Sequence, residues 1–526
     1  MASETVKRKS AFQELGLQRT VGQLIEEIQV LYRADDLPWI VGYSGGKDST
    51  AVLQLTWLAL STLPPGQRRK PLHIISTDTL VENPVVAAWV TQSLECMKQV
   101  AAKEGLPILP HRLTPAVTDT FWVNLIGKGY PAPRHKFRWC TERLKIKPSN
   151  AFITGVVAES GEAILVLGTR KAESQARARS MERLEAQRLR ERLSPNASLP
   201  NCLVYSPIED WSNDDVWMFL MQVPNPWGYN NKDLLTMYQG ASPDGECPLV
   251  VDTSTPSCGD SRFGCWVCTL VDEDKSMRAM IQNDEEKEWM LPLLSLRNKL
   301  DKADDRDIRD FRRLSGLVQI YLRKTEDGSG SDRKEDYVPG PYTQEARAEW
   351  LRLVLKAQQA IRSNPRTPDP ARRLELITMD ELRAIRRVWV LEKHEIEDLL
   401  PRIYKEVTGE TFQDRPLLDG SPWGWEEFEI LRELCGEENR LQYEMIRELL
   451  HIEQSYRTAA RRSGLYENLE GAIRRGFYRN ADDAVQYTTD RLRRLRGETP
   501  LAPNESPQDT ADEGADVSSD VTPVKR

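Results

Sequence analysis

The sequence predicts an α/β fold with a doubly wound, mostly parallel sheet, then a cysteine-rich metal segment and an α-helical C-terminal region. Three observations predict it. Short apolar runs alternate with helical patterns in the first half, four cysteines crowd between Cys247 and Cys268, and the chain after about Asp272 is charged with helical periodicity. They divide the 526 residues into an N-terminal tail (1–20), an α/β domain (21–245), a four-cysteine segment (246–272), a helical region (273–496) and an acidic tail (497–526).

The first strand is Trp39–Tyr43, which runs into a Gly-rich turn, and Asp48–Leu60 follows as a helix with Val52, Leu55 and Leu58 on one face. Leu72–Ser76 is a second strand before a helix at Pro84–Ala102. Pro107–Arg112 is a third strand, and Ala163–Leu167 a fourth that stops at Gly168. In such sheets ligands collect at the carboxyl ends of the strands. Ser44–Ser49, Ser76–Asp78 and Gly168–Arg170 are expected to converge there.

In the second half, Asp304–Lys324, Gln344–Arg362 and Thr378–Val407 read as helices, and Glu326–Pro341 as a flexible loop. Thr378 with Glu381 forms a capping-box pattern ahead of Leu382, Ile385 and Trp389. Trp350, Trp389, Trp423 and Trp425 read as core or interface. His394-Glu395-Ile396-Glu397 lacks the second histidine of a zincin motif, because Asp398 stands in its place.

Hydrophobic residues make up 40% and charged residues 29%, with a net charge of −8, which argues against broad coating of nucleic acid but leaves room for a local basic groove. No run approaches the ~18–20 apolar residues of a membrane span. Met1–Gln13 has no apolar signal core, so a cytoplasmic location is expected. The tail from Gly497 lacks apolar residues to bury and is expected to be disordered. Eight cysteines are too few for a disulfide scaffold.

Ser44-Gly45-Gly46-Lys47-Asp48-Ser49 joins the first strand to the first helix. Two glycines allow the backbone N–H groups to approach a phosphate, the helix N-terminus adds its dipole, Lys47 adds charge, and Ser44 and Ser49 add hydroxyl donors. The glycines precede the lysine directly, unlike a Walker A loop. The segment resembles the PP-loop of ATP pyrophosphatases, which implies that it holds the β and γ phosphates while ATP is split between α and β.

Phe137–Pro148 resembles the W-C-T-x-x-L-K-I-x-P signature of the phosphoadenylyl-sulfate reductase-like family. Gly168–Arg177 resembles its G-x-R-x-x-E-S-x-x-R stretch, and Pro207–Trp211 with Asp215-Val216-Trp217 its P-I-x-D-W…D-V-W segment. Cys140 lies among Arg134, Lys136, Arg138, Arg143, Lys145 and Lys147, which, if close in space, favour the thiolate and suit a phosphate-bearing acceptor. The plainer alternative makes Cys140 a packing residue beside Trp139. Arg170 and Arg177 are expected to clamp nucleotide or acceptor phosphates, and the basic stretch on to Arg192 reads equally as a solvated face or an acceptor-binding one.

Cys247, Cys258, Cys265 and Cys268 suit a [4Fe–4S] cluster or a structural zinc, and their spacing leaves both open. The chain lacks the cysteine close to the C-terminus of the small sulfonucleotide reductases, since none follows Cys435. PP-loop, reductase-like motifs, cysteine segment and helical extension together resemble the DndC family, the sulfurtransferases of bacterial DNA phosphorothioation systems. That resemblance implies ATP as substrate and a [4Fe–4S] cluster on the four cysteines. It also implies DNA as acceptor, a cysteine desulfurase as sulfur donor, and the partner proteins DndD and DndE. Mg²⁺ would bridge the ATP phosphates with help from Asp48 or Asp78. The alternatives are a sulfonucleotide reductase or RNA thiolase of the same family, and a non-catalytic nucleotide-binding scaffold.

Overall fold

A computed structural model of the chain describes residues 10–188, 190–241, 263–324, 333–417, 423–457 and 462–496. The cysteines Cys247 and Cys258 and the acidic tail therefore lie outside the described residues.

Helix α1 (Gly16–Arg33) leads into strand β1 (Trp39–Gly42), and α2 (Lys47–Thr62), β2 (Leu72–Thr77), α3 (Pro84–Glu104) and β3 (Ile108–Leu113) follow. A long connection carries two π-helical turns, Val123–Gly127 and Thr141–Ile146, into α4 (Lys147–Ser160) and β4 (Ala163–Val166). Next come α5 (Gln175–Glu185), β5 (Ser194–Pro195), β6 (Cys202–Tyr205), α6 (Asn213–Gln222) and α7 (Asn231–Gly240). The six strands form one sheet in the order β3-β2-β1-β4-β6-β5, parallel except for β5.

Strands β1 and β4 occupy the middle, paired Trp39 to Ile164 and Val41 to Val166. Their apolar runs are buried on both faces, as a parallel sheet covered by helices requires. Helices α1, α2, α3, α6 and α7 pack one face around Trp39, Val41, Ile74 and Val166. Ile40, Ile75 and Leu165 face Ile153 of α4 on the other. The doubly wound fold is therefore as expected. The short strands β5 and β6 were not expected, because Cys202-Leu203-Val204-Tyr205 is too brief to stand out from its polar flanks.

Past the cysteine segment come α8 (Lys275–Asn283), α9 (Leu291–Leu300), a hairpin of β7 (Ile320–Lys324) and β8 (Arg333–Tyr337), and α10 (Gln344–Ser363). Then follow a single turn, α11 (Asp369–Arg372), and α12 (Met379–Arg387), α13 (Leu399–Thr408), α14 (Trp425–Cys435), α15 (Arg440–Tyr456), α16 (Leu465–Gly476) and α17 (Ala481–Leu495).

Three expectations need correction. Asp304–Lys324 is not a helix: one 3₁₀ turn and a tight turn at Arg313–Gly316 lead into β7, and its arginines are held by carboxylates, Arg306 by Asp336 across the chain and Arg309 by nearby Asp305. The reach Glu326–Pro341, expected as a loop, contains β8. Thr378–Val407 is two helices, not one. A π turn at Val388–Glu392 ends in a break where His394 and Asp398 take positive φ.

The described helical region does not fold apart from the α/β domain. One hydrophobic core holds Phe121, Trp122, Trp139 and Leu144 of the connection before α4 together with Leu293, Leu351, Leu355, Ile385 and Trp389. Trp122 Nε1 donates to the Leu376 carbonyl at 2.6 Å, and Trp389 Nε1 to that of Ile126 at 2.8 Å.

Candidate functional site

The carboxyl ends of β1, β2 and β4 open into a cavity of ≈ 1160 Å³ whose lining includes Ser44, Lys47, Asp48, Ser49, Ser76, Asp78, Gly168 and Arg170. The three polar clusters therefore meet as the strand order requires.

The loop after β1 is shaped by its own small residues. Gly45 has φ +75, a conformation that disfavours any Cβ, and a Cβ there would sit 2.4 Å from Val90 Cγ2. Gly46 caps α2. Ser49 Oγ donates to the Gly46 carbonyl at 3.0 Å and accepts from Ser44 N at 3.2 Å, while the two serine hydroxyls lie 3.1 Å apart. Gly168 presses on the first turn of α2, where a Cβ would lie 2.8 Å from the Asp48 carbonyl oxygen. The glycine after β4 is thus a packing requirement of the loop after β1.

Lys47 Nζ pairs with Asp48 at 3.4 Å and lies 5.6 Å from the centre of the Tyr238 ring. The Tyr238 hydroxyl accepts from Lys47 N at 3.4 Å. Tyr238 and Glu82 line the cavity but carried no sequence signal, because each comes to it only through the tertiary fold.

Arg170, expected to clamp phosphates, is 4% exposed, pairs with Asp48 at 2.7 Å and donates to the Trp211 carbonyl at 3.2 Å. It fixes Asp48 instead. Asp78 accepts from Leu80 N at 2.8 Å and pairs with Arg112, so it caps the strand end while facing the cavity. Of the acceptor candidates, Arg177 and Lys145 line the cavity, whereas Arg143 pairs with Asp119 at 2.8 Å away from it. Arg138 is exposed in the same turn as His135, Lys136 and Phe137. Farther along, Arg188, Arg190 and Arg192 are engaged with Glu209, Glu162 and Glu27, so only part of the basic stretch is a free face.

Cys140 is half-buried against the shared core. Its thiol pKa is raised, by burial first and by neighbouring Cys268, against a hydrogen bond from Thr141. The cations near it in sequence do not offset this, because Arg134 pairs with Asp301, Arg143 and Lys147 with Asp119, and Lys145 with Glu82.

The arm carrying Cys265 and Cys268 docks on the loop after β2. Asn83 N donates to the Gly264 carbonyl at 3.2 Å, Trp266 N to that of Val81 at 2.9 Å, and Cys268 N to that of Cys265 at 3.0 Å. Cys265 Sγ lies 3.3 Å from Thr79 Oγ1 and 3.9 Å from Glu82 Oε1. Burial opposes the charge on Lys145, but Cys265, Glu82 and Cys140 outweigh it and raise its pKa. Cavity wall, Cys140 and the C-x-x-C turn thus adjoin around Lys145. Two half-buried thiols on one tight turn fit two ligands of a thiolate metal site; the other two expected ligands, Cys247 and Cys258, lie outside the described residues. Among the described residues alone, no group of three or more His, Cys, Asp or Glu is placed to hold a metal ion.

Residues 38–227 match the family model of the phosphoadenosine phosphosulfate reductase domain. This segment is similar to a phosphoadenosine phosphosulfate reductase domain. It holds every strand of the large sheet and the loop Ser44–Ser49. An uncharacterized protein of Methanocaldococcus jannaschii is 27% identical over 200 residues, which are 38% of this chain and 35% of that one, so the match spans about a third of the relative's length. A solved structure, the U34-tRNA thiolase NcsA from Methanococcus maripaludis with its [4Fe-4S] cluster, is 15% identical. It covers 42% of this chain and 72% of its own, with a TM-score of 0.25. Outside the reductase-like domain, no helix among the described residues is long and apolar enough to cross a membrane, nor is any within it.

Proposed function

We propose that the chain is an ATP-dependent sulfurtransferase of DNA phosphorothioate modification, of the DndC type. A non-bridging oxygen of the DNA backbone attacks the α phosphorus of ATP, and pyrophosphate leaves. The terminal sulfur of a persulfide supplied by a cysteine desulfurase then displaces AMP from the activated phosphodiester, and a thiol reductant gives the two electrons that cleave the S–S bond and leave the phosphorothioate. Adenylylation is needed because a phosphodiester oxygen leaves poorly, whereas AMP leaves well.

The observation that carries this reading is the convergence of Ser44–Ser49, Asp78 and Gly168–Arg170 on one cavity whose edge also holds Lys145 and Glu82 beside the Cys265–Cys268 turn. The N-terminus of α2 and Lys47 would hold the departing pyrophosphate. Asp48, fixed by Arg170, and Asp78 would position Mg²⁺ on the phosphates. At ≈ 1160 Å³ the cavity exceeds the ~300–1,000 Å³ usual for a single small ligand, which leaves room for part of a second substrate. The exposed His135-Lys136-Phe137-Arg138 turn supplies charge and an aromatic face for a polynucleotide. A [4Fe–4S] cluster on Cys265, Cys268, Cys247 and Cys258 would supply sulfur or electron chemistry next to Cys140. DndD and DndE would be its partners on DNA.

The test is anaerobic turnover with DNA, a cysteine desulfurase and ATP, following both the nucleotide product and incorporation of ³⁵S. AMP and labelled DNA are expected, with Lys47→Ala lowering both by roughly 10²-fold. ADP as product, or label entering RNA and not DNA, overturns the proposal.

A further inference from the structure

A second cavity of ≈ 300 Å³ lies in the helical region, between the turn after Arg312, the break at Lys393–Glu395, and helices α15 and α16. Its wall carries seven lysines and arginines against five carboxylates. Most are matched. Arg347 pairs with Glu395, Arg475 with Glu448, and Arg312 bridges Asp310 at 2.8 Å and Glu444 at 2.5 Å. Arg447 reaches behind the wall to Glu397 at 2.7 Å.

Two cations are left over. Among the described residues, neither Lys393 nor Arg313 has a carboxylate within ion-pair distance, and the Arg313 guanidinium donates only to the Pro339 carbonyl, at 3.0 Å. Lys393 is half-buried, and burial, reinforced by Arg347, pushes its ammonium down to about 8 against the opposing pull of Glu395, Asp310 and Glu392. A half-buried amine that no carboxylate approaches within ion-pair distance is only partly compensated for its lost hydration. Its backbone setting is also strained, because the next residue, His394, has φ +56 and Asp398 has φ +50. Strain of this kind in non-glycine residues gathers at ligand sites. The opposite wall is closely built, since a Cβ on Gly316 would come within 2.1 Å of Arg475 Cδ.

We propose that this cavity is a phosphate site, in which Lys393 and Arg313 hold one phosphate group, either free or within a polynucleotide backbone. A tetrahedral anion supplies the direct ion pair that both cations lack among the described residues, and the paired arginines around it need not move.

The site is read on the full-length chain by acetylating lysines with a water-soluble ester and measuring Lys393 by mass spectrometry. Exposed Lys356 serves as the internal control. Inorganic phosphate at ten times its dissociation constant is expected to slow Lys393 labelling about tenfold. Lys356 should be unaffected, and Arg313→Gln should abolish the protection without shifting the melting temperature. A DNA duplex that protects at lower concentration than inorganic phosphate assigns the site to a nucleic-acid backbone. Protection by inorganic phosphate alone assigns it to the free ion. Equal protection by chloride at matched ionic strength, protection that survives in Arg313→Gln, or none by either ligand overturns the proposal. Because cavity and readout lie outside the ATP site, these results stand whether or not the ATP chemistry does.

Discussion

Gly45 and Gly168 show how single atoms set the candidate ATP site. Gly168→Ala would push a methyl against the backbone of the first turn of α2 and should cost ~1–3 kcal/mol, as overpacking does. It should also lower ATP turnover disproportionately. Gly155→Ala in α4 is the contrast: nothing lies near its added carbon, so it should stabilise by ~0.5–1 kcal/mol with turnover unchanged. Urea unfolding and steady-state kinetics on both variants check this pair. A second residue-scale prediction concerns acid stability. His451 is 6% exposed, and burial first, then His394, push its pKa from 6.5 down to about 4, with Glu448 opposing. Above pH 6.5 the ring is neutral whether folded or not. Between 6.5 and 4 only the unfolded chain takes the proton, so stability falls as pH drops and the loss is complete below 4. From pH 7 to 5 the expected loss is about 2 kcal/mol, and His451→Gln should flatten that limb in urea titrations at the two pH values.

At the scale of elements, the capping box at the start of α12 was legible from four residues. Thr378 Oγ1 accepts from Glu381 N at 3.2 Å, and Glu381 Oε2 accepts from Thr378 N at 2.8 Å. Thr378→Ala should therefore cost about 1 kcal/mol in denaturant unfolding. Glu381 is buried, so removing its partner leaves a carboxylate short of one donor. The β7–β8 hairpin was not legible. Its residues Ile320–Lys324 and Arg333–Tyr337 are as charged as a surface helix, and only cross-strand pairing and the bonds of Arg306 to Asp336 and the Tyr337 carbonyl decide for strands. The cysteine arm belongs to this scale as well. Cys265 and Cys268 announce a metal turn, but nothing local announces that Val81 and Asn83 receive it.

For the whole molecule, the decisive feature is the core shared between the connection before α4 and the helices after the cysteine segment. Trp389→Ala removes a buried ring and its bond to the Ile126 carbonyl, and should cost ~3–5 kcal/mol. The loss should register in the candidate ATP site too, because Trp139 and Leu144 of the same core hold the Cys140–Lys145 turn. Thermal unfolding followed together with ATP turnover tests that link; a loss of stability with turnover intact at low temperature would break it.

The sequence by itself determined the parallel sheet, the glycine loop Ser44–Ser49 and its place at a strand end. Those features are written in short-range patterns: continuous apolar runs for strands buried on both faces, and glycines where the backbone must turn tightly. Tertiary structure decided which charges are free. In sequence Cys140 sits among cations; in space each of Arg134, Arg143, Lys145 and Lys147 already has a carboxylate from a distant segment, while Lys393 and Arg313, ordinary in sequence, have none within ion-pair distance among the described residues. Ion pairing acts over a few ångströms and is blind to chain separation, so a charge count along the chain could not have told the two apart.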